Sequence, residues 1–173
     1  MKHLIIFLIV PLSFFVTRNI GYTEVISPKT ETSQKPQITF KAKVIRIIDG
    51  DTCEILYHEL PIKIRLAHID CPEKRGKQPF GNVAKKALSD LCFGTIITVQ
   101  TENSFDRSGR LIAVLLNESG ENINKQMVSL GMAWHYKKYS EDQSYDLLEI
   151  EARKNKLGLW RDKKPIAPWN FRN

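Results

Sequence analysis

The sequence predicts a small α+β domain, a five-stranded β-barrel capped by three α-helices, and two observations carry that expectation. The first is a set of short runs rich in Ile, Val, Thr and Leu between Ile38 and Leu116, separated by turn residues, which is a strand pattern. The second is the order of the periodicities along the chain. Three strand-like runs precede one helical stripe, two more strand-like runs follow it, and then come helices, as a small barrel capped by helices requires.

Strands are expected over residues 39–48, 52–57, 62–67, 95–101 and 110–116. The step Asp49-Gly50 and the corner Glu59-Leu60-Pro61 fold the first three into a meander, because tight turns select Gly, Asp and Pro. Between the third and fourth runs, Phe80, Val83, Ala84, Ala87, Leu88 and Leu91 recur at helical spacing and mark one apolar face, which Gly94 ends. A second helix is expected over residues 124–130, with Gly131 at its C-terminus, and a third over 144–156, closed by Gly158. Leu147, Leu148, Ile150, Ala152, Leu157, Leu159 and Trp160 are expected to form the buried side of the last.

The chain has 173 residues, 42% hydrophobic and 26% charged, which suits one globular domain with a substantial core. Residues 1–21 read as a signal peptide: Lys2 and His3 precede an apolar run from Leu4 to Val16. That run is shorter than the ~18 to 20 residues a membrane span needs, although Ile20 leaves an uncleaved anchor open. The expected location is therefore outside the cytoplasm, secreted or periplasmic, with residues 22–37 a polar spacer and 38–173 the folded domain. Lysine and arginine number 26 against 19 acids, a net charge of +7. With Lys2 and Arg18 set aside, 24 basic residues still face 19 acidic ones, so the folded part favours polyanionic partners. Cys53, Cys71 and Cys92 have no C-x-x-C spacing, which argues against a zinc site or a dense disulfide framework. One bridge with one free thiol and three small semi-buried side chains both remain open.

The residues that bear on chemistry concentrate in Asp49-Gly50-Asp51-Thr52, Arg65 and Asp70-Cys71-Pro72-Glu73. Placed at strand ends and turns, Asp51 and Asp70 can converge on one divalent cation, since hard cations take carboxylate, carbonyl and water oxygens together. Strand alternation puts Ile62, Ile64 and Leu66 on one face and Arg65 on the other. Asp106-Arg107-Ser108-Gly109-Arg110 supplies another guanidinium through a glycine turn. Planar guanidinium groups grip phosphate through paired hydrogen bonds, so two arginines beside two metal-binding acids suit phosphodiester chemistry. An isolated Asp-Gly-Asp step is an ordinary solvated turn and an isolated strand arginine is surface charge; the combination carries the weight.

In order along the chain, Ile48-Asp49-Gly50-Asp51-Thr52, Arg65-Leu66, Asp70-Cys71-Pro72-Glu73 and residues 106–110 resemble the signature of the staphylococcal nuclease family. Gly131-Met132-Ala133, Tyr136 with Tyr139, Leu157-Gly158-Leu159-Trp160 and Pro165-Ile166-Ala167-Pro168-Trp169 extend the similarity, which runs from about Lys41 to Arg172. The resemblance implies an oligonucleotide-binding barrel (OB-fold) with a calcium ion in a cleft on its side. It makes Asp51 and Asp70 the metal carboxylates, the backbone carbonyl of Cys71 a further ligand, and Asp49 a close neighbour. Glu73 is the residue that orients or deprotonates the attacking water, and Arg65 and Arg110 bind phosphate. Attack breaks the bond to the 5′ oxygen, leaving a 3′-phosphate, on DNA and RNA substrates with little sequence specificity. No stable protein partner is implied, and a monomer is expected. Cys71 and Ser108 stand where the best-known member has threonine and tyrosine, and Arg107 replaces its lysine. Arg107, Tyr136 and Tyr139 are the remaining substrate-binding candidates, with Trp134 and His135 near them.

The rival expectation is a noncatalytic OB-fold module that binds nucleic acid or protein, because fold does not fix function. The presence of Asp51, Asp70, Glu73, Arg65 and Arg110 together favours an enzyme. His3, His58, His68 and His135 lack zinc-ligand spacing, and neither a G-x-S-x-G step nor a phosphate loop occurs.

Overall fold

In the computed structural model, which describes residues 36–172, the elements run β1 (Ile38–Asp49), β2 (Thr52–Tyr57), β3 (Leu60–Leu66), β4 (Ile69–Asp70), α1 (Gly81–Cys92), β5 (Ile96–Thr101), β6 (Leu111–Leu116), α2 (Ile123–Ser129), β7 (Trp134–His135), α3 (Gln143–Lys154) and α4 (Pro168–Phe171). The expected signal peptide and nearly all of the expected spacer lie outside the described residues.

Five strands close into a barrel in the order β1-β2-β3-β6-β5. Closure depends on the length of β1, which pairs β5 from Ile38 to Lys43 and β2 from Lys43 to Asp49, with register shifts after Val44 and Ile47 that bend the strand between its two neighbours. Every pairing in the barrel is antiparallel except β3 with β6, which is parallel and limited to Ile64, Arg65 and Leu66. The period-two alternation that marked the strands fills the interior with Ile55, Ile64, Leu66, Ile97, Val99 and Leu115. The expected α+β barrel is present. Its helical cap consists of α1, α2 and α3, joined by the one-turn α4 and a two-stranded β4–β7 ribbon that the sequence pattern did not disclose.

Three expectations need correction. His58 and Glu59 both adopt positive φ (45° and 65°), so a two-residue hairpin turn precedes Leu60, and Leu60 and Pro61 belong to β3. Pro61 is tolerated there because β6 joins β3 only from Ile64 onward, leaving the other edge open at Pro61. The α1 face that packs inward is Gly81, Ala84, Leu88 and Cys92, and Val83 is half exposed. On α3 the buried residues are Tyr145, Glu149 and Ala152, whereas Leu147, Ile150 and Leu157 are exposed. The cause is Glu149: its carboxylate accepts the His135 N–H at 2.6 Å and pairs with Arg153, whose guanidinium lies 4.1 Å from the Trp160 ring centroid. A charged side chain satisfied in this way occupies a core position that a hydrophobicity pattern assigns to its neighbours.

All three cysteines are free and buried, and burial lifts each thiol above its ordinary pKa, so the bridged alternative is not the one adopted. Gly131 ends the α2 segment at φ 67°, and a Cβ there would stand 2.3 Å from the Leu157 carbonyl oxygen, while its own carbonyl accepts the Leu159 N–H at 2.9 Å. Gly131→Ala is therefore expected to cost about 2 kcal/mol or more, through strain and backbone overlap together. Urea unfolding checks this, and an unmoved midpoint would contradict the close approach.

Candidate functional site

The site assembles where the β1–β2 turn meets the loop after β4. Thr52 pairs with Arg65 across β2 and β3, and the Leu66 N–H donates to the Asp51 carbonyl at 2.9 Å, so Asp51 and Arg65 are brought side by side by the ladder itself. The next loop is pinned to the same turn: the Cys71 N–H donates to Asp51 Oδ2 at 2.8 Å. A Cβ on Gly50 would sit 2.8 Å from the Cβ atoms of both Ala84 and Cys71, so only glycine lets α1 and that loop press against the turn. Asp70 ends β4, which β7 holds through the pairings Ile69 with His135 and Asp70 with Trp134. Glu73 is fixed through its backbone. Its N–H donates to Gln78 Oε1 at 2.9 Å, and Gln78 Nε2 donates to the Ile166 carbonyl at 2.7 Å, tying the Glu73 loop to the C-terminal segment.

The side chains form one continuous polar chain. Arg110 Nη1 donates to Thr52 Oγ1 at 3.0 Å, and Thr52 Oγ1 donates to Asp51 Oδ1 at 3.0 Å. Arg65 Nη1 abuts Asp51 Oδ2, and its Nη2 donates to Asp70 Oδ1 at 2.7 Å. Arg172 Nη2 donates to Asp70 Oδ2 at 2.7 Å, and its Nη1 donates to Glu73 Oε1 at 2.5 Å. Asp106 orients the far end: its Oδ2 accepts from Arg110 Nε at 2.7 Å and its Oδ1 accepts the backbone N–H groups of Ser108 and Arg110. Arg65, Glu73, Arg110, Asp51 and Asp70 thus lie in a single network, and Asp49 is near enough to feel the charges of Asp51 and Glu73.

Asp51 and Asp70 are only 7% and 1% exposed, which makes their charges costly without partners. Burial raises the Asp70 carboxyl, as does neighbouring Asp51, against the lowering by Arg172 and Arg65. Burial likewise raises Asp49. Burial also works against the Arg65 cation, but Asp51 and Asp70 outweigh it and hold the guanidinium above its ordinary value. Asp106 is the opposite case from Asp70: burial opposes its charge, yet the Arg110 and Ser108 donors keep it below the usual carboxylate range.

Beside this network lies a cleft of about 800 Å³ whose walls include Arg65, Glu73, Arg107, Arg110, Tyr136 and Tyr139. Tyr139 is exposed and its ring meets Tyr136 edge-on at 5.0 Å between centroids. Two nearby aromatic groups are not available to a ligand in the same way. His135 is buried against Tyr145 and bonded to Ser140, and Trp134 is packed among Trp160, Trp169 and Arg153. Sequence reasoning gave no role to three members of the network, and Asp106 entered only as the start of the turn that carries Arg110. Thr52 had a weak signal in its position next to Asp51. Arg172 had none, since it is 102 residues from Asp70 and 99 from Glu73 and reaches them only through tertiary packing.

Comparison with known proteins decides the kinship. Residues 63–162 match the model of the family described as staphylococcal nuclease homologue. The chain belongs to the staphylococcal nuclease family. The barrel is accordingly the family's OB-fold, and the enzyme class is nuclease, a phosphodiester hydrolase. The chain is 41% identical over 143 residues to the micrococcal nuclease of Shigella flexneri, covering 77% of this chain and 80% of that protein. It is 39% identical over 131 residues to an uncharacterized endonuclease of Escherichia coli O157:H7 (76% and 84% covered), and 42% identical over 131 residues to one of Haemophilus influenzae (75% and 71%).

In this staphylococcal nuclease homologue the side-chain atoms paired with Arg65 are the carboxylate oxygens of Asp51 and Asp70. One guanidinium bridges Asp51 and Asp70, so their carboxylates lie within a single guanidinium's span, a separation and chemistry that suit a hard divalent cation. Among the described residues, no group of three or more His, Cys, Asp or Glu side chains gathers as a metal cage. The two aspartates would need carbonyl and water oxygens to complete a shell, which fits a site that must also admit substrate.

Proposed function

We propose that this protein is an exported, calcium-dependent endonuclease that hydrolyses phosphodiester bonds in DNA and RNA with little sequence specificity and leaves 3′-phosphate ends. The observation that carries the reading is the unbroken polar chain from Arg110 through Thr52, Asp51, Arg65 and Asp70 to Arg172 and Glu73, of which Arg110, Arg65, Arg172 and Glu73 line one cleft. Asp51, Asp70 and the Cys71 carbonyl would hold the calcium ion, with Asp49 adding negative potential close by. When bound, calcium supplies a Lewis acid for a phosphoryl oxygen and a template that brings phosphate and water together.

Arg65 and Arg110 bind the scissile phosphate and stabilise the charge that accumulates on its oxygens in the five-coordinate transition state. Guanidinium groups stay protonated, so their contribution is electrostatic, and Arg110 would also assist the leaving 5′ oxygen. Glu73 accepts a proton from, or orients, the attacking water. Arg107 lies at the exposed rim as a further phosphate contact, and Tyr136 and Tyr139 offer ring surface to bases. Residues 1–21 and 22–37, as signal peptide and spacer, would deliver the domain of 38–173 across a membrane, to work as a monomer without a stable protein partner.

Single-stranded DNA and RNA should both be cut when calcium is added and stay intact when it is chelated, with Asp51→Ala inactive throughout. End-labelled products should carry the phosphate on the 3′ side. Intact substrate with folded wild-type protein and calcium would put the noncatalytic binding module ahead. Substrate affinity is also expected to fall with rising salt as bound phosphates release counterions, and a flat response would remove the basic cleft from the account.

A further inference from the structure

Asp70 has no free oxygen. Oδ1 accepts from Arg65 at 2.7 Å and from Arg172 at 3.3 Å, and Oδ2 accepts from Arg172 at 2.7 Å. The two arginines are not held alike. Arg65 is wedged between Asp51 and Asp70 with 13% of its side chain exposed, whereas the Arg172 side chain is 39% exposed and follows the one-turn helix α4. α4 has anchors besides the Arg172 side chain: Gln78 holds the Ile166 carbonyl, Trp169 stacks on Tyr136 at 5.2 Å with an interplanar angle of 4°, and Phe171 lies over Gly76. The Arg172 side chain can therefore leave Asp70 while the segment that carries it stays docked. Its guanidinium also borders the cleft shared with Arg65 and Arg110.

We propose that Arg172 is a third working arginine of this cleft: it neutralises Asp70 and Glu73 in the cation-free protein, gives up Asp70 to calcium, and then binds substrate phosphate. This rests on the calcium-dependent reading above. A divalent ion on Asp70 would add positive charge beside guanidinium groups that compete for the same oxygens, and of the two arginines on Asp70 the more exposed, Arg172, is the one free to yield. Moved off Asp70, the guanidinium loses two of its three hydrogen bonds and keeps the one to Glu73, and the anion that can replace Asp70 is a phosphate drawn to the cleft. Calcium binding and phosphate binding become coupled through one side chain.

The test uses calorimetric titration of calcium chloride into the wild type, Arg172→Gln and Arg172→Lys, followed by a nucleoside 3′-phosphate at saturating calcium; this ligand has no diester to cut. Arg172→Gln is expected to bind calcium about fivefold or more tighter and the nucleotide about fivefold or more weaker. Arg172→Lys, which keeps the charge, should fall between. Loss of fold would weaken both ligands together, so opposite signs separate a working role from a structural one. Calcium affinity unchanged in Arg172→Gln, or tighter calcium with unchanged nucleotide affinity, overturns the proposal while leaving the nuclease reading intact. A wild type that binds no calcium overturns both.

Discussion

Arg65→Ala is expected to lower the nuclease rate by at least about 10²-fold and, in the presence of chelator, to cost about 2–3 kcal/mol of stability, part of which calcium restores. The stability effect follows from burial. Asp51 and Asp70 are nearly inaccessible, and among the described residues Arg65 is the cation that contacts both. Removing it leaves two neighbouring carboxylates facing each other, a situation that breaking a buried pair makes costly; Arg172 still covers Asp70, which keeps the loss at the lower end of the range. A divalent ion between the two acids would supply the missing positive charge, so stability should recover as calcium rises. The rate should not recover with it, because the ion cannot reproduce the fork of donors on phosphate. Arg65→Lys should behave more like alanine than like the wild type in rate, since one ammonium cannot span two carboxylates or grip phosphate bidentately. Urea unfolding with chelator and with calcium, beside initial rates, measures all of this. Equal stability of wild type and Arg65→Ala in chelator would mean that Arg65 is not the bridge between the acids.

The strands were readable because their runs of Ile, Val, Thr and Leu are bounded by turn residues, and Leu111 to Leu116 also alternates buried and partly buried residues without a break. The ribbon of β4 and β7 was not, because two residues per strand carry no period, although it is this ribbon that places Asp70. The α3 face was misread because Glu149 is buried through bonds to His135 and Arg153, information that resides in other elements. Asp51, Arg65, Asp70, Glu73 and Arg110 were singled out by residue type and order, and their meeting in one network follows from neighbouring strands in register. Arg172 escaped because its position depends on how Gln78, Tyr136 and Gly76 receive the last turn of chain. No local pattern around Arg172 reports that docking.

Arg110→Ala is expected to match Arg65→Ala in rate, a loss of at least about 10²-fold, while costing only about 0.5–1 kcal/mol of stability. The difference lies in exposure and partners. The Arg110 side chain is 29% exposed, and its acid, Asp106, stands at the cleft edge and can be rehydrated when the arginine is gone. Asp106 Oδ2 holds the Nε–Nη2 edge of the guanidinium while Nη1 reaches Thr52, so Asp106→Asn should also slow the reaction, by less, through loss of orientation. If Asp106 acts only through Arg110, adding Asp106→Asn to Arg110→Ala should slow the enzyme no further than Arg110→Ala alone. An arginine that touches the phosphate chiefly in the transition state should lower kcat and kcat/KM by the same factor; one that merely attracts nucleic acid should raise KM and leave kcat untouched. The second pattern would remove Arg110 from the phosphate clamp and leave it as part of a general basic surface, whereas a double variant slower than Arg110→Ala by the full Asp106→Asn factor would mean that Asp106 acts independently of Arg110.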